Sequence, residues 1–212
     1  MTLRVLLTGF EPFGGEAINP SWELARALAD APSPHEQITL CAERLPVDRA
    51  TYAQALMRAI ERQRPDVVLA LGQATGRAAI QLERLAHNSL DYKGNPDNGG
   101  HVVNGELLHP DAPPTLASSL PLQSLCATLQ AAGHPVELSA DAGRFLCNAV
   151  LYELRHVHPA LPAAFVHLPL LPEQSDRRGK DEPSLAARIT QACLTDLIRQ
   201  LALQQSEPGD AV

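Results

Sequence analysis

Basic residues, aromatic residues, paired cysteines and long apolar runs are all scarce in this 212-residue chain. Lys and Arg number 17 against 24 Asp and Glu, for a net charge of −7. This balance argues against a nucleic-acid or anionic-membrane surface, because both are bound mainly through clustered basic side chains. No apolar run approaches the roughly 18 residues of a membrane span. We therefore expect no nucleic acid and no membrane as partner, but a small molecule or a peptide.

The four cysteines, Cys41, Cys126, Cys147 and Cys193, lie far apart, and none forms a CxxC pair. This spacing excludes a zinc ribbon or a thioredoxin motif and favours reduced thiols. The apolar stretch before Gly9 is too short for the hydrophobic region of a signal peptide. We therefore expect a cytoplasmic protein.

The length and the 45% hydrophobic content predict one domain over residues 1–205, with a frayed tail at 206–212. Strands are predicted at 5–8, 38–42, 67–71, 80–86, 136–139 and 163–168. Helices are predicted at 21–29, 50–63, 122–132 and 183–203, with another starting near Cys147; a long turn-rich segment covers 88–114. This alternation predicts an α/β three-layer sandwich, a mostly parallel mixed sheet flanked by helices on both faces, with sites at the carboxyl ends of the strands.

Cys147 begins an apolar helical run after a glycine turn, and His167 lies on a short apolar strand. Together they suggest a thiol nucleophile and its base, because a helix N-terminus or a nearby imidazole favours the thiolate. Glu83, between two leucines, has the character of a carboxylate that orients the imidazole. Taken singly, Cys147 fits a small buried hydrophobic residue better than a nucleophile, His167 fits a hydrogen-bonded core histidine equally well, and Glu83 fits a solvated strand or helix face better.

Two of the few aromatic residues, Phe10 and Phe13, lie in the glycine-rich segment that follows the first strand. The segment has the position of a phosphate loop but matches neither phosphate-binding spacing. The two rings fit either a clasp for a flat apolar group or a packed loop. His156 and His158 form an HxH pattern with no third ligand apparent, so no metal site is predicted.

Six blocks in order resemble the pyroglutamyl peptidase I family: LTGFEPFGG (7–15), NPSW (19–22), GQA (72–74), LER (82–84), DAGRFLCN (141–148) and FVHLP (165–169). The resemblance implies a nucleophile at Cys147, a base at His167 and an orienting carboxylate at Glu83. It also implies substrate-binding residues: Phe10, Phe13 and Phe145 around the pyroglutamyl ring, Asn19 near its polar edge and Gln73 near the scissile carbonyl. Further implications are peptides with N-terminal pyroglutamate as substrates, a thioester acyl-enzyme, no cofactor, a cytosolic location and a homo-oligomer, tetramer or dimer.

The turn-rich segment departs from some relatives, which carry an arginine close to the site where Tyr92 and Lys93 stand here. Two other functions stay open at this point. One is a phosphorylase-like enzyme on the same layered architecture, which phosphate dependence would reveal. The other is a catalytically inactive small-molecule binding protein, in which Cys147 would be an inert thiol.

Overall fold

A computed structural model describes residues 2–179 and 182–206, without the side chains of residues 205 and 206. The strands are β1 (Leu3–Phe10), β2 (Ile38–Leu45), β3 (Val67–Gln73), β4 (Ile80–Glu83), β5 (Leu85–His87), β6 (Thr115–Ala117), β7 (Val136–Ser139) and β8 (Ala163–Leu168). The helices are α1 (Pro20–Asp30), α2 (Tyr52–Gln63), α3 (Leu122–Ala131), α4 (Leu146–Val157), α5 (Pro172–Arg178) and α6 (Ala187–Ser206). Residues 207–212, which make up nearly all of the tail expected to fray, lie outside the described residues.

Six strands form one sheet in the order β2-β1-β3-β8-β4-β7. Neighbours are parallel except β4 and β8, which are antiparallel. One core contains side chains of α1, α3 and α6 packed on the sheet, and the second contains side chains of α2 and α4. The predicted three-layer sandwich with a mostly parallel mixed sheet is confirmed.

The central strands are mostly apolar because helices cover both faces of the sheet. Every residue of β3 and of β8 is buried. The first helix begins where its sequence signals predict: the Asn19 side chain accepts a hydrogen bond from the Ser21 N–H, and Pro20 occupies the first turn. These signals place the loop that contains Phe13 between α1 and β1, whose last residue is Phe10.

The prediction of a single strand over 80–86 is wrong. The chain changes partners at Arg84, whose N–H donates to Ser139 O of β7 at 2.7 Å while its carbonyl accepts from Ser118 N at 2.9 Å. The residues before Arg84 therefore belong to the large sheet, and those after it form a two-stranded antiparallel sheet with β6.

Two further differences lie between β8 and the C-terminus. The last helix begins at Ala187, not at 183, because Ser184 bridges Leu170 and the Leu185 N–H donates to Leu170 O in an extended conformation. The short helix α5 was not predicted, since its seven residues are polar and show no apolar periodicity. No helix within the described residues has the length and apolar character needed to span a membrane.

Gly9 lies where β1 passes α1 too closely for a side chain. A Cβ at this position would be 2.5 Å from the backbone carbonyl of Ser21 and from the Cα of Trp22. These backbone atoms belong to the first turn of α1 and cannot shift without disturbing its cap. We expect Gly9→Ala to lower the free energy of unfolding by about 2 kcal/mol or more, measured by urea denaturation.

The matched control is Gly15→Ala. Gly15 has a φ of +81°, and a Cβ at this position would meet no described atom within 4 Å beyond its chain neighbours, so this change costs only backbone strain, about 1 kcal/mol. Equal losses in the two variants would show that the contact between β1 and α1 relaxes without cost.

Candidate active site

Cys147 is the second residue of α4, and its half-buried side chain faces a cleft at the carboxyl ends of β3 and β8. Phe145 precedes the helix and provides no side-chain cap. No described residue accepts a hydrogen bond from the Cys147 N–H. The first turn of α4 therefore presents a thiol and at least one free N–H donor to the same space.

Gly72 allows the sulfur to approach the sheet. A Cβ at Gly72 would lie 2.8 Å from Cys147 Sγ and 2.6 Å from Phe165 Cζ. Gly72 is paired with His167 in the parallel register of β3 and β8. The Cys147 sulfur therefore lies over Gly72, next to the residue that carries the imidazole. A side chain larger than hydrogen at this position would displace the sulfur or the Phe165 ring.

His167 and Glu83 form a buried pair. The His167 Nδ1–H donates to Glu83 Oε1 at 2.7 Å, and Glu83 has 0% exposure. The second carboxylate oxygen, Oε2, is buried without a hydrogen-bond partner among the described residues. Among the described residues, the Glu83 carboxylate therefore forms its side-chain hydrogen bond with the His167 imidazole. This bond fixes the ring and leaves its Nε2 available to face the Cys147 thiol.

The charge state of His167 reflects both neighbours. Burial lowers its pKa, but the charge and hydrogen bond of Cys147, followed by the hydrogen bond and charge of Glu83, outweigh burial and raise the pKa to about 9. The folded protein therefore favours an imidazolium beside the sulfur at neutral pH. This is the arrangement in which a cysteine acts as a nucleophile and a histidine as a proton donor.

The other three thiols have different surroundings. Burial raises the pKa of Cys41, of Cys126 and, to about 12, of Cys193. None of them lines the cleft that contains Cys147. Cys147 therefore differs from the other three thiols, which lie outside the cleft and have raised pKa values.

Two connected spaces meet at Cys147. The first is the open cleft, with a volume of about 490 Å³. It is lined by Phe13, Gly14, Gln73, Asp91, Tyr92, Lys93, Asn95, Pro96, Ala142, Arg144, Phe145, Cys147 and His167.

The second space is a narrow pocket, here called the ring pocket. It is lined by Phe10, Phe13, Asn19, Val47, Gln73, Phe145, Leu146 and Cys147. All five residues predicted to bind substrate are therefore brought to one pocket, and Val47 and Leu146 join them without a signal in the sequence. The ring pocket is nearly closed, at about 10 Å³, the space of one water. The rings of Phe13 and Phe145 stack across it with centroids 5.9 Å apart.

The turn-rich segment 88–114 forms one wall of the cleft. The Asn98 side-chain amide donates to Glu11 Oε1 at 2.8 Å and to Pro12 O at 2.9 Å, which ties this wall to the loop that contains Phe13. Tyr92 and Lys93 both line the cleft, and the Tyr92 ring is buried against Phe145 with centroids 4.3 Å apart. Lys93 brings a positive charge to this wall.

Asn148 has a structural role that sequence reasoning missed. It is fully buried one residue after Cys147, donates to His87 O and Ser89 O, and accepts from His87 N. These bonds hold α4 to the beginning of the 88–114 wall. A polar residue inside an apolar helical run is the signal that points to such an anchor.

Two groups of potential metal ligands lie elsewhere. Ligand atoms of Asp48, Asp97 and His101 lie within 4.8 Å of one another, but the Asp97 carboxylate already accepts backbone hydrogen bonds from Arg49 and His101. The two histidines of the HxH pattern do not converge. His156 packs on His109 and His158 contacts Met57.

Comparison with known proteins places this geometry in a family. The model of the pyroglutamyl peptidase family matches residues 3–204. A pyrrolidone-carboxylate peptidase from Gloeobacter violaceus is 46% identical over 191 residues, which cover 88% of this chain and 92% of that protein.

Solved structures agree with the sequence comparison. A pyrrolidone carboxyl peptidase from Fervidobacterium islandicum has a TM-score of 0.88 and 35% identity, covering 95% of this chain and 99% of that one. Pyroglutamyl peptidase I from Bacillus amyloliquefaciens has a TM-score of 0.82 and 33% identity, covering 92% and 94%. As the six sequence blocks predict, the chain belongs to the pyroglutamyl peptidase family.

Proposed function

We propose that this protein is a cysteine exopeptidase that removes N-terminal pyroglutamate (5-oxoproline) from peptides and proteins. The observation that supports it most directly is that Cys147 lines both the narrow ring pocket and the open cleft. A substrate with one residue in the ring pocket and the following chain in the cleft has its first peptide bond at the sulfur. This division suits an enzyme that releases a single N-terminal residue.

The chemistry of the ring pocket matches a lactam. A pyroglutamyl ring is flat and uncharged and carries one N–H and one C=O, so it calls for aromatic walls and a few directed hydrogen bonds. Phe10, Phe13 and Phe145 supply the walls, and the amides of Asn19 and Gln73 supply the polar groups. An N-terminal glutamate is disfavoured because its charges would have to be desolvated in this pocket.

In the acylation step, the Cys147 thiolate is the nucleophile and the His167 imidazolium is the proton donor. The Cys147 thiolate attacks the carbonyl that joins pyroglutamate to the next residue, and the oxyanion accepts hydrogen bonds from the Cys147 N–H and from Gln73. As the C–N bond breaks, the His167 imidazolium gives its Nε2 proton to the leaving amine. The shortened peptide departs and pyroglutamate remains as a thioester on Cys147.

Deacylation reverses the role of the imidazole. His167, now neutral, takes a proton from a water that attacks the thioester carbonyl, and the sulfur leaves as the thiolate. Free pyroglutamate is released and the imidazolium is restored. Through both steps, Glu83 holds the ring in place by the bond to Nδ1 and stabilises its positive charge.

The proposal includes a cytoplasmic location and a homo-oligomer, tetramer or dimer, built from one catalytic domain over residues 1–205. All four cysteines are free, which supports a reducing compartment. Native mass spectrometry of the purified protein distinguishes the tetramer, the dimer and the monomer.

Cys147 is the nucleophile of the proposed reaction. We expect selective hydrolysis of pyroglutamyl-aminomethylcoumarin over the prolyl and glutamyl analogues, and a loss of at least about 1000-fold in kcat/KM for Cys147→Ala and for Cys147→Ser. The thermal unfolding midpoints should stay close to that of the wild type. The control is Cys41→Ser, which removes a thiol outside the cleft and should retain activity. Activity of Cys147→Ala similar to the wild type would eliminate this nucleophile.

The activity should depend on pH through the protonation of His167. Because the folded-state pKa of His167 is raised to about 9, the imidazolium that protonates the leaving amine persists below that pH, and kcat/KM should fall as pH rises through about 9. Removing the Glu83 charge takes away one of the causes that raise this pKa. The alkaline limb of Glu83→Gln should therefore lie at lower pH, with a reduced rate.

The control for the pH experiment is Glu137→Gln, which removes a carboxylate bonded to Gln81 on the neighbouring strand. Its alkaline limb should coincide with that of the wild type. A Glu83→Gln profile that also coincides with the wild type would refute the electrostatic role of Glu83.

A further inference from the structure

Gln174, in the first turn of α5, has a fully buried side-chain amide directly behind the ring pocket. Its Oε1 accepts a hydrogen bond from the Leu171 N–H at 3.0 Å. Its Nε2 donates to Gln73 Oε1 at 3.0 Å and faces Ile18 O and Glu16 Oε2, both at 3.4 Å. A buried amide with this many polar neighbours is held in a single position.

The orientation of Gln174 is decided by groups that have only one hydrogen-bonding role. The Leu171 N–H can only donate, so the atom facing it must be the amide oxygen. The Ile18 carbonyl and the Glu16 carboxylate can only accept, so the atom facing them must be the amide nitrogen. Exchanging the two ends of the amide would set donor against donor and acceptor against acceptor.

Gln174 in turn decides the orientation of Gln73. The amide of Gln73 has no intrinsic preference, but the Nε2 of Gln174 requires an acceptor, so the oxygen of Gln73 faces inwards. The Nε2 group of Gln73 is then left for the cleft side, and no described residue accepts a hydrogen bond from it. Resting on the proposed function, we infer that Gln174 is a positioning residue that makes Gln73 a hydrogen-bond donor towards a carbonyl oxygen of the pyroglutamyl residue.

The direction of this donor matters for the reaction. Negative charge grows on the scissile carbonyl oxygen as the thiolate adds, and a donor fixed beforehand stabilises that charge without reorganisation. An amide turned the other way would place its own oxygen against the oxyanion. Gln174 thus acts on the transition state through Gln73, without lining the cleft itself.

The sharpest variant is Gln174→Glu. It retains the oxygen that accepts from the Leu171 N–H, and when assayed above the pKa of the new carboxyl group it cannot donate to Gln73, whose NH₂ group then turns inwards to the carboxylate. We expect kcat for pyroglutamyl-aminomethylcoumarin to fall on the order of 100-fold, with a much smaller change in KM. Gln174→Met, which is neutral and similar in length, removes the fixed orientation and should give a smaller loss of the same kind.

The matched control is Glu173→Gln. It makes the same kind of exchange at the neighbouring, exposed position of α5, and the Glu173 side chain takes part in none of the hydrogen bonds of Gln174, so kcat should stay within about two-fold of the wild type. Thermal unfolding midpoints of all variants show which of them retain the fold, and Gln174→Met keeps the test available if Gln174→Glu does not fold.

A double-mutant cycle decides whether Gln174 acts through Gln73. The loss caused by Gln174→Met should shrink to less than about two-fold when Gln73 is already Ala, because no amide remains to be oriented. An equal loss in both backgrounds, with an active wild type, would overturn the positioning role and leave the proposed function intact. A folded, reduced wild type that releases no product would overturn the proposed function and the inference with it.

Discussion

The hydrogen bond between His167 Nδ1 and Glu83 Oε1 depends on the reversed direction of β4 against β8. In this antiparallel register Gln81 is opposite His167 and Glu83 is opposite Phe165, so Glu83 is a diagonal neighbour of the imidazole on the same face. Glu83 is fully buried and His167 is only 7% exposed at the cleft, so water weakens their attraction little. The single antiparallel neighbour in the large sheet thereby brings the carboxylate to the base.

Much of the architecture follows from local sequence. The strands predicted at 136–139 and 163–168 coincide with β7 and β8, because a short alternating run and a short, mostly apolar run, each bounded by turn residues, leave few alternatives. The convergence of Phe10, Gln73 and His167 follows from the common edge formed by the ends of β1, β3 and β8. The assignment of roles came from the resemblance, and the structure brings those side chains to the ring pocket and the cleft.

Other features depend on contacts between distant segments. The break at Arg84 is set by Ser139 and Ser118, which lie far along the chain, so no local pattern reveals it. The importance of Gln174 likewise comes from its bond to Gln73, 101 residues away. In both cases the deciding interaction is a tertiary hydrogen bond, which hydrophobic periodicity does not predict.

The contact between the stacked rings of Phe13 and Phe145 competes with any contact that the same rings make with a substrate. The two rings stack with centroids 5.9 Å apart and line a pocket of only about 10 Å³. Under the proposed function an entering lactam parts them, so its affinity reflects the difference between its own contacts with the rings and the contact that the rings give up. A molecule that enters without covering the faces of both rings gains less contact energy than is lost when the two rings separate. Discrimination against poorly fitting residues therefore begins with the opening of the pocket, before any bond is broken.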